Sequence, residues 1–153
     1  MSLLSDEAIM RVAFDEALKG RSIGEVPVGA VLVDRNGEVV STAHNLCETL
    51  RDPTAHAEMI VIREAAEKLI NIRIEGCALF VTLEPCSMCI GAMVLARINR
   101  LVFGTRDPKS GAVFSKYNIG VDKKLNHTLE VEEGILKEDC SYILSEFFKE
   151  LRA

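Results

Sequence analysis

Four residues in two short segments have the types and the spacing of a catalytic zinc site. His56 and Glu58 occur in the segment TAHAE, and Cys86 and Cys89 occur in the segment EPCSMC. One imidazole and two thiolates suit Zn²⁺, and three protein ligands leave the fourth tetrahedral position for water. We therefore predict that His56, Cys86 and Cys89 bind one Zn²⁺ per subunit.

Glu58 is the predicted proton carrier of this site. Zinc lowers the pKa of bound water to about 7, and a carboxylate within hydrogen-bond reach can take that proton and return it to a leaving amine. If Glu58 were a fourth ligand, the site would instead be closed and structural. Residues two apart in a regular helix point about 200° apart, so His56 must lie in an irregular first turn or the site must lie across the helix end.

Each residue taken singly also has an ordinary structural interpretation. A lone histidine is more often a hydrogen-bonded core residue, and a Cys-x-x-Cys pair can be redox-active, structural or simply buried. A lone glutamate is usually a solvated helix residue. The prediction of zinc chemistry therefore depends on all four residues together.

Hydrophobic periodicity and turn residues divide the chain into elements that would position these side chains. Ser5 is a suitable N-cap for the first helix, Gly20 its expected end, and Asp52 or Thr54 the expected cap of the helix containing His56. The predicted order is a helix over 5–19, strands over 26–34 and 38–43, a helix over 52–69, a strand over 77–83, a helix over 86–97, a strand over 99–105, a surface loop over 107–124, a short strand over 129–131 and a helix over 136–151.

This alternation predicts an α/β fold in which a mixed sheet is covered by helices on both faces. The length of 153 residues suits one domain, so we expect residues 1–153 to form a single zinc-dependent domain. The two cysteines are one turn apart at a helix start, where the positive dipole end favours thiolates.

Composition excludes several classes of protein. The chain is 48% hydrophobic and 27% charged, as in folded proteins, and it has no apolar run long enough to cross a membrane. The N-terminal sequence has neither a basic start nor an apolar run, so we expect no signal peptide. Five cysteines with one close pair make a poor disulfide framework, and we expect a cytoplasmic protein.

Charge is distributed unevenly along the chain. The net charge is −5, yet residues 97–124 contain seven basic and two acidic residues. One interpretation is an ordinary solvated loop. The other is a local phosphate-facing surface on an otherwise acidic protein.

Longer motifs extend these observations to nearly the whole chain. The segments EVPVGA, DPTAHAE and VTLEPC, together with the region from Asn126 to Phe148, resemble the bacterial tRNA adenosine deaminases of the cytidine and deoxycytidylate deaminase superfamily. The resemblance implies a three-layer α/β/α cytidine-deaminase-like fold with a central mixed five-stranded sheet. It also implies a homodimer that converts adenosine to inosine at wobble position 34 of a tRNA-Arg(ACG) anticodon.

The resemblance also implies a role for individual residues. His56, Cys86 and Cys89 would bind zinc, Glu58 would move protons, Asn45 would hydrogen-bond the purine and the Ala57 N–H would meet the C6 substituent. Contacts to the anticodon stem-loop would come from Lys109, Asn126, Phe148, Lys149 and Arg152.

Some of these residues have an ordinary alternative. Asn45 is otherwise a hairpin-end turn residue, and the last helix otherwise only packs. The segment 111–118 departs from the family pattern and its role stays open. Tyr117 or Phe114 would pack beside a base, although Phe114 equally suits the core.

The predicted reaction is an attack of zinc-activated water on C6 of a flipped-out adenine, with Glu58 protonating N1 and ammonia leaving. Two alternatives stay open. One is deamination of a free nucleobase or nucleoside, namely guanine, cytosine or adenosine, which would use the same zinc residues. The other is a non-catalytic, zinc-stabilised binding module. Neither a membrane nor DNA is an expected partner.

Overall fold

The computed structural model describes residues 4–153, so the first three residues of the predicted domain lie outside the described residues. Five strands form one mixed sheet. The helices and strands of the described residues are α1 (Asp6–Ser22), β1 (Gly29–Val33), β2 (Val39–His44), α2 (Cys47–Leu50), α3 (Ala57–Leu69), β3 (Ala78–Leu83), α4 (Ser87–Leu95), β4 (Arg100–Thr105), β5 (Glu130–Glu133) and α5 (Lys137–Arg152).

The sheet order is β2-β1-β3-β4-β5. β1 is antiparallel to both β2 and β3, whereas β3, β4 and β5 are parallel. The parallel pair β3 and β4 is connected through α4, as parallel strands require. The short connection from β3 to α4 lies at the C-terminal end of the strand, which is the edge of a parallel sheet where a site can form.

Alternating side chains of the buried strands fill two apolar cores, one on each face of the sheet. On one face Leu79 and Phe103 pack with residues of α3 and α4. On the other face Phe80 and Val102 pack with residues of α1, and α5 contacts β3 and β4 beside α1. The predicted three-layer α/β/α fold with a mixed five-stranded sheet is confirmed. Within the described part of the chain, no helix is long and apolar enough to span a membrane.

Several predicted boundaries were wrong. α1 continues through Gly20 to Ser22, because the missing side chain at Gly20 lets the helix lie against His44. The first strand begins at Gly29 rather than at Val26. α2 was not predicted at all.

The predicted start of α3 at Asp52–Thr54 was wrong as well. The Asp52 carboxylate accepts from the backbone N–H of Thr54 at 2.8 Å and so closes a local turn. Asp52 therefore does not cap the helix. The backbone at His56 is still extended (φ −73°, ψ 149°), and regular helix begins at Ala57.

Candidate active site

The three predicted zinc ligands lie together where two helices begin. His56 directly precedes α3, Cys86 directly precedes α4, and Cys89 lies in the first turn of α4. The Nδ1 atom of His56 is 3.6 Å from the sulfur of Cys86 and 3.4 Å from the sulfur of Cys89. All three potential ligand atoms lie within 4.8 Å of one another.

These separations fit a tetrahedral zinc ion. Ordinary Zn–N and Zn–S bond lengths at a tetrahedral angle put nitrogen and sulfur about 3.5 Å apart. The two observed nitrogen–sulfur distances fall on either side of that value. His56, Cys86 and Cys89 therefore form a metal site whose donors suit Zn²⁺, with one coordination position left for water.

The two sulfurs compete for a proton. Hydrogen bonds first from Cys89 and then from His56 together lower the pKa of Cys86 to about 4, against the opposing effect of burial. The pKa of Cys89 is raised, because its thiol faces the Cys86 sulfur and is buried. A divalent cation bound by these donors would end the competition for the proton, because both sulfurs could then be thiolates.

Glu58 lies beside the ligands in the first turn of α3. Its side chain is only 4% exposed, and this burial raises the pKa of Glu58 to about 7. A carboxyl group that titrates near neutral pH is suited to taking and returning a proton. Because His56 lies outside the regular helix, both side chains line one pocket and the geometric condition set by their spacing is met.

The pocket has a volume of about 240 Å³, and Asn45 lines it next to His56 and Glu58. The Oδ1 atom of Asn45 accepts the backbone N–H of Ala57 at 2.8 Å. Within residues 4–153 the amide nitrogen of Asn45 has no hydrogen-bond partner. Asn45 and the Ala57 N–H are the two predicted contacts to the base. Because the Ala57 N–H donates to Asn45, it is not a free hydrogen-bond donor.

A larger groove of about 600 Å³ adjoins this pocket, and the two share the wall residues Asp107 and Ser110. Lys109, Phe148 and Arg152 line the groove. The other two predicted RNA contacts do not: Lys149 is exposed beside Phe148 on α5, and Asn126 is exposed in the loop before β5.

Sequence comparisons agree with this geometry. A family model for the zinc-binding region of cytidine and deoxycytidylate deaminases matches residues 4–105. The tRNA-specific adenosine deaminase of Bacillus subtilis (strain 168) is 50% identical over 150 residues, which cover 98% of this chain and 92% of that protein. This chain belongs to the tRNA-specific adenosine deaminase family. The predicted resemblance, deaminase activity and zinc cofactor are thereby confirmed.

Solved structures of relatives extend the comparison. A structure from studies of A-to-I editing by tRNA:A34 deaminases at the wobble position of transfer RNA superposes with a TM-score of 0.85. It is 43% identical and is matched over 89% of this chain and 98% of that one. Guanine deaminase from Bacillus subtilis shares the fold at a TM-score of 0.65 and 27% identity, over 97% of this chain and 94% of that one.

Two buried carboxylates of the site, those of Glu25 and Glu84, were not predicted from the sequence. Glu25 accepts the backbone N–H groups of Glu48 and Thr49, at 3.1 and 2.6 Å, and so holds α2 against the pocket. Glu84 accepts from backbone groups of the loop after β4. The only local signal was an acidic residue beside apolar ones, because the partners lie more than 20 positions away.

Proposed function

We propose that this protein hydrolyses adenosine to inosine at wobble position 34 of a tRNA anticodon, of the tRNA-Arg(ACG) type. The observation that carries the proposal is a pocket beside the zinc ligands that adjoins a groove lined by three basic residues, Arg106, Lys109 and Arg152, and by the ring of Phe148. A flipped-out base fits the pocket, and the flanking nucleotides need the groove. Similarity is also higher to tRNA deaminases than to the guanine deaminase.

The side chains have distinct roles in the proposed reaction. When bound by His56, Cys86 and Cys89, zinc supplies Lewis acidity that turns water into a nucleophile near neutral pH. Glu58 takes a proton from the attacking water and transfers it to N1 while the C6–O bond forms. It then takes the proton of the new C6 hydroxyl and delivers it to the amine, which leaves when the C6–N bond breaks. Inosine and ammonia are the products. Asn45 donates its amide N–H to the purine and orients it.

A second surface beside the pocket supports an RNA substrate. Lys109, Lys116 and Tyr117 line a groove of about 560 Å³ that also includes the zinc ligand Cys86. The Tyr117 side chain is 62% exposed. Lysines bind phosphates and exposed aromatic rings stack on unpaired bases. Phe114, by contrast, packs its ring against Phe103 of the core.

The proposal includes a homodimer in the cytoplasm. α4 is apolar along its length, and Leu95 at its end is 75% exposed, which is typical of a face that a second copy covers. Within the described residues none of the five cysteines forms a disulfide, in keeping with a reducing compartment. Light scattering should give a dimer mass for the native chain and a monomer mass for Leu95→Asp. Ile70→Asp, at another exposed apolar position, should stay dimeric.

The deciding experiment is single-turnover deamination of an arginine-tRNA anticodon stem-loop with adenosine at position 34, using zinc-loaded enzyme at low salt. We expect inosine at that position, and none in a loop with shuffled flanking bases. Formation of xanthine from guanine, with no inosine in the stem-loop, would favour the free-base alternative. No turnover of any base by zinc-loaded protein would favour the binding module instead.

A further inference from the structure

We infer that Glu84 is a positioning residue that fixes the RNA-facing loop relative to the zinc site. This inference rests on the proposed function. The loop in question covers residues 107–118 and is called here the 107–118 loop. It includes the segment whose departure from the family pattern left its role open.

Glu84 is the hub of an unusually dense set of hydrogen bonds. Its Oε2 atom accepts the backbone N–H groups of Val113, Phe114 and Ser115 at 3.1, 2.9 and 3.0 Å. Its Oε1 atom accepts the N–H of Asp107 at 3.0 Å and the Ser115 hydroxyl. Five donors converge on one carboxylate that is 2% exposed, and hydrogen bonds to an ionised acceptor are about twice as strong as neutral ones.

Glu84 is also close to the metal site along the chain. Glu84 directly follows β3 and is two positions before the ligand Cys86. Between them, the carbonyl of Pro85 accepts the N–H of Ala112 at 2.9 Å. The start of the 107–118 loop at Asp107 and its middle at residues 112–115 are therefore tied to the backbone segment that carries a zinc ligand, so this part of the loop cannot shift without breaking these bonds.

The loop carries the side chains that face the proposed RNA. Lys109 lines both grooves beside the catalytic pocket, and Ser110 lines the pocket and both grooves. Lys116 and Tyr117 follow directly after the residues that Glu84 binds. Anchoring the loop at Glu84 thus sets the distance between the reacting base and the groups proposed to hold its neighbours.

Gly111 shows how close the approach is. A Cβ atom at this position would lie 2.3 Å from the carboxyl carbon of Glu84, with Oε1 equally near. The carboxylate is held by its five donors and cannot move aside cheaply. Gly111→Ala should therefore separate the loop from Glu84 without removing the acceptor.

The test combines amide exchange with steady-state kinetics on zinc-loaded Glu84→Gln, Gly111→Ala and Glu25→Gln. We expect Glu84→Gln and Gly111→Ala to speed exchange of the N–H groups of Asp107 and residues 113–115 at least about tenfold. Glu25→Gln removes an equally buried carboxylate, and it should instead affect only the N–H groups of Glu48 and Thr49.

On the anticodon stem-loop, Glu84→Gln should raise KM about tenfold and change kcat less than about threefold, with one zinc per chain retained. Unchanged exchange in Glu84→Gln would overturn the anchoring role. Faster exchange with an unchanged KM would overturn the positioning role and leave a purely structural one. A fall in kcat as large as the expected rise in KM would do the same. A wild-type enzyme inactive on the stem-loop would refute the proposed function, while the exchange comparison would still decide whether Glu84 anchors the loop.

Discussion

At the scale of single residues, the environment decides which groups can take part in chemistry. Cys140 is a thiol like Cys86, but burial against β4 raises its pKa to about 12, which makes it inert. Cys86 has a pKa near 4 because Cys89 and His56 hydrogen-bond its sulfur. Burial raises the pKa of Glu58 to about 7 and outweighs the opposing hydrogen bonds from its own backbone N–H and from Cys89. The residue types alone would not separate these cases.

The role of Glu58 leads to the first prediction. Glu58→Ala should lower the single-turnover rate at least about 10²-fold, because it removes the buried carboxyl group beside the metal ligands whose pKa is about 7. Zinc content measured by atomic absorption should stay at one ion per chain, since Glu58 is not a ligand. Glu67→Ala, on the exposed side of α3, is the matched control and should retain the wild-type rate. Appreciable activity of Glu58→Ala, or loss of its zinc, would contradict the assignment.

At the scale of elements, an ion-pair cluster joins α1 to the parallel edge of the sheet. Arg100 on β4 donates to Asp6 in the first turn of α1 and to Glu132 on β5. Its guanidinium also lies 5.7 Å from the centre of the Phe80 ring. This cluster links the first helix to strands more than 90 residues later in the chain, in addition to the apolar packing of α1 against Val102.

The cluster predicts a pH dependence of stability. The hydrogen bond from Arg100 lowers the pKa of Asp6 below 3.8, with burial opposing and charge attraction adding. The stabilisation is therefore complete above pH 3.8 and disappears as the pH falls through the lowered pKa of the folded state. Asp6→Asn should reduce the free energy of unfolding near pH 7 by at most about 1 kcal/mol, because the pair is partly exposed.

Urea unfolding at neutral pH and at a pH well below 3.8 checks this expectation. The difference between Asp6→Asn and the wild type should vanish at the lower pH. Glu7→Gln is a matched control, because Glu7 occupies the same first turn without an Arg100 contact. It should lose only the smaller contribution from the helix dipole. An equal loss in both variants would mean that the ion pair contributes nothing.

At the scale of the whole molecule, basic residues are concentrated around the active site of an acidic protein. Residues 97–124 have a net charge of +5, whereas the whole chain has −5. From this region, Lys109 lines both grooves beside the pocket and Lys116 lines one of them. Such a field attracts a polyanion to one face and repels it elsewhere.

This arrangement predicts the salt dependence of RNA binding. If Lys116 contacts a phosphate, Lys116→Ala should reduce the slope of log K against log salt by about 0.7. Fluorescence anisotropy with the labelled anticodon stem-loop measures the slope. Lys68→Ala, near the far end of α3, is the charge-matched control and should leave the slope unchanged. An unchanged slope in Lys116→Ala would remove this lysine from the RNA surface.

Tyr117 should contribute in a way that salt does not affect. Loss of a base stacked on its ring should weaken stem-loop binding by about 1–3 kcal/mol in Tyr117→Ala, with the salt slope unchanged. The control is Tyr142→Ala, since Tyr142 is similarly exposed, at 66% against 62%, but lies on α5 outside the grooves. Equal binding by the two variants would exclude stacking on Tyr117.

The sequence by itself determined the chemistry and most of the elements. The types and spacing of His56, Glu58, Cys86 and Cys89 were sufficient for the zinc prediction, because ligand preference is a property of the side chains. Nine of the ten elements had a predicted counterpart, since hydrophobic periodicity reflects which face each element buries. The longer motifs were sufficient for the family.

Only the tertiary structure decided how the site is assembled. Asp52 is a good helix cap in isolation, but it closes a turn instead, which leaves His56 extended and brings it together with Glu58. Glu25 and Glu84 find their donors more than 20 residues away, and Phe148 reaches the groove from the last helix. Local patterns contain no information on such pairings, because the fold brings these hydrogen-bonding groups together across large sequence separations.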